Sequence, residues 1–84
     1  MAAMAKPSPT HAGAPALVAI GSVVRGVRSE RSISQESLAY DAGVDRSYLG
    51  GIERGEHNLT VMNLLRIADQ LEIKPSELLR LAGL

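Results

Sequence analysis

Ser34-Gln35-Glu36-Ser37-Leu38-Ala39-Tyr40, then Asp41-Ala42-Gly43-Val44-Asp45, then Arg46-Ser47-Tyr48-Leu49-Gly50-Gly51-Ile52-Glu53 is the stretch from which the rest of the chain can be read. Ser34 is a good N-cap, and Glu36 in the first turn after it complements the helix dipole. Gly43 stops this helix, because glycine accepts the left-handed conformation on which helices end. Val44 alone separates Gly43 from Asp45, which can cap the next helix, Arg46 to Glu53, and Gly55 ends that one. Two short helices joined by a turn centred on Ala42-Gly43-Val44 make a helix-turn-helix. Ala39 is small where the helices cross, while Val44, Leu49 and Ile52 point into a core and fix the angle of the second helix.

Working outward, Leu17, Ile20, Val24 and Val27 recur at helical spacing from Ala16 onward. Gly21 and Gly26 should weaken this first helix by up to about 1 kcal/mol each. Thr60 caps a fourth helix with Val61, Leu64, Leu65, Ala68 and Leu71 as its apolar face. Pro75 suits the first turn of a fifth helix, which carries Leu78, Leu79 and Leu81 and stops near Gly83. Lys74 is a poor cap for it, so that helix is expected to fray. Residues 1–15 hold three of the four prolines and only Lys6 as a charge. They read as a disordered Pro/Ala-rich tail, with 16–84 as one domain. The fold class is all-α, with five short helices.

Composition narrows the function. The 84 residues suffice for one domain. There is no cysteine, and His11 and His57 are far apart, so neither disulfides nor a zinc site is implied and no metal or cofactor is expected. No apolar run reaches the roughly 18 residues of a membrane span, and the start lacks a secretory signal, so a soluble cytoplasmic protein is expected with no membrane partner. An enzyme lacks its parts: there is no cysteine nucleophile and no glycine-rich phosphate loop. Nine basic against nine acidic residues give no net charge. Affinity for DNA would then have to come from where the charges sit, since phosphate neutralisation supplies much of such binding.

In a helix-turn-helix the exposed face of the second helix can enter the major groove of double-stranded DNA, its N-terminal residues nearest the base edges. Ser34-Gln35-Glu36-Ser37-Leu38-Ala39, Ala42-Gly43-Val44, Tyr48-Leu49 and Ile52-Glu53-Arg54-Gly55, followed by Asn58-Leu59-Thr60, Leu64, Ile67-Ala68, Leu71 and Glu77-Leu78-Leu79, resemble the Cro/C1-type (XRE) helix-turn-helix family. That family includes phage lambda repressor, and the likeness covers about residues 17–80. Asp45-Arg46-Ser47-Tyr48, Gly51-Ile52-Glu53-Arg54 and Asn58-Leu59-Thr60 look most like the controller proteins of restriction-modification systems.

The resemblance implies a five-helix lambda-repressor-like domain and a transcriptional regulator. It implies base contacts from Arg46, Ser47 and Tyr48, and backbone contacts from Ser34, Gln35, Arg54, Asn58 and Thr60. Arg28 and Glu53 match a structural ion pair between the first and third helices. Chemically, Arg46 could pair in bidentate fashion with guanine, and Tyr48 could offer its ring to a thymine methyl and its hydroxyl to a phosphate, or instead pack against Gly51 or Ile52. Gly50 and Gly51 stand where the family carries larger side chains, which puts base contacts from the end of that helix in doubt.

Glu36 and Asp41 could form an acidic patch that touches RNA polymerase, or serve only as dipole complement and solvated face. Leftover apolar surface at Ile73, Leu79 and Leu84 predicts a homodimer through the C-terminal end on a near-palindromic operator, with Leu78, Leu81 and Ala82 closing the core. No second domain that would take a small-molecule ligand is expected, so control by concentration and dimerisation is expected. An autoregulating antitoxin or phage-type repressor is the alternative within DNA binding. A protein-interaction module that has lost DNA is the alternative outside it.

Overall fold

Every helix among the described residues ends in the same way. The computed structural model describes residues 6–84, and among them the helices are α1 (Pro15–Glu30), α2 (Gln35–Ala42), α3 (Arg46–Glu53), α4 (Val61–Gln70) and α5 (Pro75–Leu81), with no strand. After each comes a residue of positive φ: Ser32, Gly43, Gly55, Glu72 and Gly83. The next amide then reaches back five positions. Ile33 donates to the Arg28 carbonyl at 3.0 Å, Val44 to Ala39 at 2.9 Å, Glu56 to Gly51 at 2.9 Å, Ile73 to Ala68 at 3.1 Å and Leu84 to Leu79 at 2.9 Å. This is the Schellman closure, which satisfies carbonyls that a helix end would otherwise leave open and turns the chain sharply. Ile33, Val44 and Ile73 then tuck partly against the core, so each turn is anchored as well as bent.

These turns let α1 lie on α3 and α5, α2 on α3 and α4, and α4 on α5. Val24, Leu38, Leu49, Ile67, Leu71 and Leu78 are fully buried at the centre. Ser34 and Thr60 cap α2 and α4 as expected, accepting from the amides of Ser37 at 3.0 Å and Asn63 at 3.1 Å. Asp45 and Lys74 occupy the cap positions of α3 and α5 without capping through their side chains, and α5 runs to Leu81 nonetheless, with Pro75 in its first turn.

Several expectations change. The first helix starts at Pro15, not Ala16. Of the stretch read as tail, residues 1–5 lie outside the described residues. Ser8 and Gly13 donate backbone hydrogen bonds to Glu56 and Gly55 at 2.7 and 2.8 Å. On α4, Val61 and Leu65 face solvent and Ile67 takes the buried position. On α5 the buried arc runs through Leu78, Leu79 and Ala82, so Leu81 is exposed and Leu79 half-buried, the reverse of the sequence reading. Ile73 was expected to be exposed and is half-buried, whereas Leu84 is exposed as expected.

Gly21 is not merely a weak point. A Cβ there would stand 2.7 Å from the Glu53 carbonyl oxygen and closer still to that of Ile52. The end of α3 therefore rests on the bare backbone of α1. Arg28, seven residues on and on the same side, locks the crossing: its Nε donates to Glu53 Oε2 at 2.6 Å and its Nη2 to Oε1 at 3.1 Å. Nη1 also donates to the Ile33 carbonyl at 2.9 Å, and the side chains of Arg28 and Glu53 are only 14% and 2% exposed. Hydrogen bonding to Glu53 raises the Arg28 guanidinium above its already high ordinary pKa.

The two helix glycines should respond oppositely to one methyl group. Gly21→Ala should lower stability by about 1–3 kcal/mol or more, because rigid carbonyls must move. Gly26→Ala meets nothing within 4 Å and should raise stability by about 0.5–1 kcal/mol through helix propensity. Urea denaturation of both variants checks the contrast. Arg28→Ala should cost about 3–5 kcal/mol in the same assay, since it strands a buried carboxylate.

Candidate nucleic-acid interface

The Glu53 carboxylate that receives Arg28 also receives Gln35. Gln35 Nε2 donates to Glu53 Oε1 at 2.9 Å. An ionised carboxylate can only accept, so the Gln35 amide must turn its Nε2 inward and its Oε1 outward. That outward oxygen accepts from Arg46 Nη1 at 3.5 Å, a long contact on an exposed side chain. The first residue of α2 thus connects the buried ion pair to the first residue of α3. Beside them the Ser47 hydroxyl bonds the Asp45 carboxylate, which occupies Asp45 with a side chain and leaves the first amides of α3 uncapped by it.

Of the two readings left open for Tyr48, inward packing is the one seen, though against His57. Its side chain is half-buried, its ring centroid lies 4.7 Å from that of His57 at 34°, and its hydroxyl accepts from Asn63 Nδ2 at 3.0 Å. The ring therefore packs on the loop after α3, and its hydroxyl meets α4. The hydroxyl keeps its own proton for a donor bond. His57 is itself buried, and its imidazole covers the bare backbone of Gly51, so that any Cβ there would collide with Nε2. Nε2 has no hydrogen-bond partner among the described residues. Gly50 is likewise covered by neighbours. Arg54 Nη1 lies 3.1 Å from where its Cβ would stand, and the Gln35 amide lies at 3.8 Å.

Arg54 is exposed, and Glu56 holds it through both carboxylate oxygens, at 2.8 Å from Nε and 3.2 Å from Nη2. Hydrogen bonding to Arg54 in turn holds the Glu56 carboxyl below the usual carboxylate range. A phosphate reaching Arg54 must compete with that carboxylate. Asn58 and Thr60 are exposed at the end of the loop, and the Thr60 hydroxyl, like that of Ser34, accepts from its own helix and retains a proton to donate outward.

Two strings of contacts therefore spread from α3. One runs Arg28, Glu53, Gln35, Arg46; the other runs His57, Tyr48, Asn63, Thr60. Sequence reasoning named the residues of the first string but paired only Arg28 with Glu53, and it missed the two bonds of Gln35, Asn63 and the burial of His57. The one available signal was the Gly50-Gly51 pair, because a glycine inside a short helix implies something lying against it. Ile73, Leu79 and Leu84 belong to neither string and sit with α5 and the turn before it.

The chain matches the helix-turn-helix family over residues 24–78. It is 38% identical over 60 residues to the control protein C.BamHI of Bacillus amyloliquefaciens, covering 70% of this chain and 74% of that protein. It is 39% identical over 61 residues to the control protein C.SmaI of Serratia marcescens, covering 73% of each. Among solved structures it resembles the restriction-modification controller protein C.AhdI of Aeromonas hydrophila, with 47% identity, a TM-score of 0.72, and coverage of 74% of this chain and 94% of that one. No helix among the described residues is long and apolar enough to cross a membrane. By sequence match and by architecture alike, this chain belongs to the Cro/C1-type helix-turn-helix family of regulators.

Proposed function

We propose that this protein is a cytoplasmic transcriptional regulator that reads a near-palindromic DNA operator as a homodimer, in the manner of a restriction-modification controller. The observation that carries this reading is the coupling of Arg46 to Gln35 and, through it, to the buried Arg28–Glu53 pair. A long cation on a surface normally wanders. Here its partner amide is fixed from beneath, which suits Arg46 to meet a guanine edge with both nitrogens.

Ser47 joins Arg46 as a base contact. Tyr48 serves through its hydroxyl proton toward phosphate more than through its ring. Ser34, Gln35, Asn58 and Thr60 hold phosphates on either side of α3, where the first amides of α2 and α4 also point outward. Arg54 joins them once a phosphate displaces Glu56. Glu36 and Asp41, exposed on α2, remain available to RNA polymerase. Identity to control proteins C.BamHI and C.SmaI favours a role beside a restriction-modification system over that of an antitoxin.

The dimer surface lies on α4 and α5. Leu65, Ile73 and Pro75 line a groove there with Asp69, Glu72 and Lys74 at its rim, and Leu84 is 62% exposed. A two-fold contact sets Lys74 of one copy against the acidic rim of the other, so the patch complements itself. Two recognition helices then fall about 34 Å apart. Dimerisation also doubles the phosphate contacts of a chain without net charge.

Arg46→Ala should cost about 1–3 kcal/mol on the selected operator and relax preference at one base position. Asn58→Ala should weaken operator and random duplex alike. Titration of both duplexes at one salt concentration separates the two, and equal losses for Arg46→Ala would make it a backbone contact. In sedimentation at tens of micromolar, wild type should run as a dimer, and Leu65→Glu or Leu84→Glu should shift it to monomer. A monomeric wild type would remove the interface.

A further inference from the structure

Four of the five helix ends close on an apolar residue: Ile33, Val44, Ile73 and Leu84. The first three of these pack partly against the core. The end of α3 is the exception. There the equivalent residue is Glu56, whose carboxylate turns outward to Arg54 and anchors nothing inward. Yet this is the end from which the loop to Asn58 and Thr60 departs.

Besides buried His57 and half-buried Leu59 farther along the loop, what holds it is the segment before α1. Ser8 and Gly13 donate their amides to the two successive carbonyls of Glu56 and Gly55, at 2.7 and 2.8 Å. The segment is itself folded for the purpose. Ser8 Oγ accepts from the His11 amide at 3.1 Å, the Ser8 carbonyl from Ala12 at 3.2 Å, and the His11 carbonyl from Ala14 at 2.9 Å. Gly13 supplies the left-handed bend, with φ of 80°. Immediately afterwards the start of α1 presses on Gly55, where a Cβ would stand 2.7 Å from Val18 Cα.

The geometry points to a positioning role for residues 8–13: they act as a strap that replaces the missing apolar anchor and pre-organises the phosphate-holding loop from Glu56 to Thr60. The inference rests on the DNA-binding reading above. A loop already ordered in the free protein loses less conformational freedom on meeting a phosphate, so the strap strengthens binding without touching DNA. Because the loop is read here as holding phosphate, the gain is shared by all sequences and leaves base preference unchanged.

Two full-domain variants test this. Removal of residues 1–13 keeps Ala14 and Pro15 at the start of α1 and keeps Val18 against Gly55. Gly13→Val leaves the chain entire. It creates no clash, since nothing lies within 4 Å of the new Cβ, but a β-branched residue resists this φ and should release the bond to Gly55. Hydrogen exchange is followed without DNA at the amides of Gly55 and Glu56, which open the loop and donate to the Ile52 and Gly51 carbonyls, with Ala68 and Leu71 on α4 as internal reference. Affinity is then measured on operator and random duplex at one salt concentration, well below each variant's melting temperature.

The expected result is exchange at least tenfold faster in the loop with the α4 reference unchanged. Affinity should fall about fivefold for Gly13→Val and about tenfold for the deletion, equally on both duplexes, as loss of one or two hydrogen bonds would give. Should the deletion fail to fold, Gly13→Val decides alone. Unchanged loop exchange overturns the strap. Faster exchange with unchanged or improved affinity overturns its role in binding. A wild type that binds neither duplex overturns the DNA-binding reading instead, and the exchange data then still report whether the strap orders the loop.

Discussion

Glu53 lies at the meeting point of three helices with its carboxylate almost wholly withdrawn from water. A carboxylate in that position is tolerated only if its oxygens are satisfied by cations and donors. Arg28 from α1 and Gln35 from α2 provide this, and each is thereby fixed in turn. The crossing of α1 over α3 depends on it, because Gly21 brings the backbones too close for any side chain to mediate their contact. The direction of α3 depends on that crossing. The setting of Arg46 depends on Gln35, whose outward oxygen is outward only because its nitrogen is committed to Glu53. Core and surface are joined through one residue.

The lower half of the domain is organised by packing instead. The imidazole of His57 fills the space over Gly51, Tyr48 lies against His57, and Asn63 holds the tyrosine hydroxyl. These contacts tie α3 to the loop and to the first turn of α4. They use a polar side chain at each step, with His57 buried and Tyr48 and Asn63 half-buried, and no ion pair takes part.

What the sequence disclosed follows the reach of its rules. Caps at Ser34 and Thr60, stops at Gly43 and Gly55, and the helix-turn-helix between them are local features, and local features can be read from neighbours in the chain. The Arg28–Glu53 pair was legible only through the family resemblance. Gly21 was read as a propensity defect because its partner, the carbonyl end of α3, is thirty-odd residues away. Its position on one stripe with Leu17, Val24 and Arg28 was the clue, since a gap in an inward stripe marks a close approach. The backbone bonds of Ser8 and Gly13 had no such clue, because main-chain donors are the same in every residue. Which of Leu79 and Leu81 faces inward was not legible, because the two are equally apolar and neighbours on the wheel.

The glycines beneath Arg54 and His57 also bear on how such a protein can change. With Gly50 and Gly51 roofed by those side chains, α3 would offer a groove met in the proposed manner little beyond its first turn. If bases are read as proposed above, a lineage drifting toward a new operator can vary Arg46 and Ser47 one at a time. A larger residue at position 51 would be rejected unless the imidazole at 57 had already given way, so the two positions must evolve together. Divergence in what the protein reads is therefore channelled through very few independent letters.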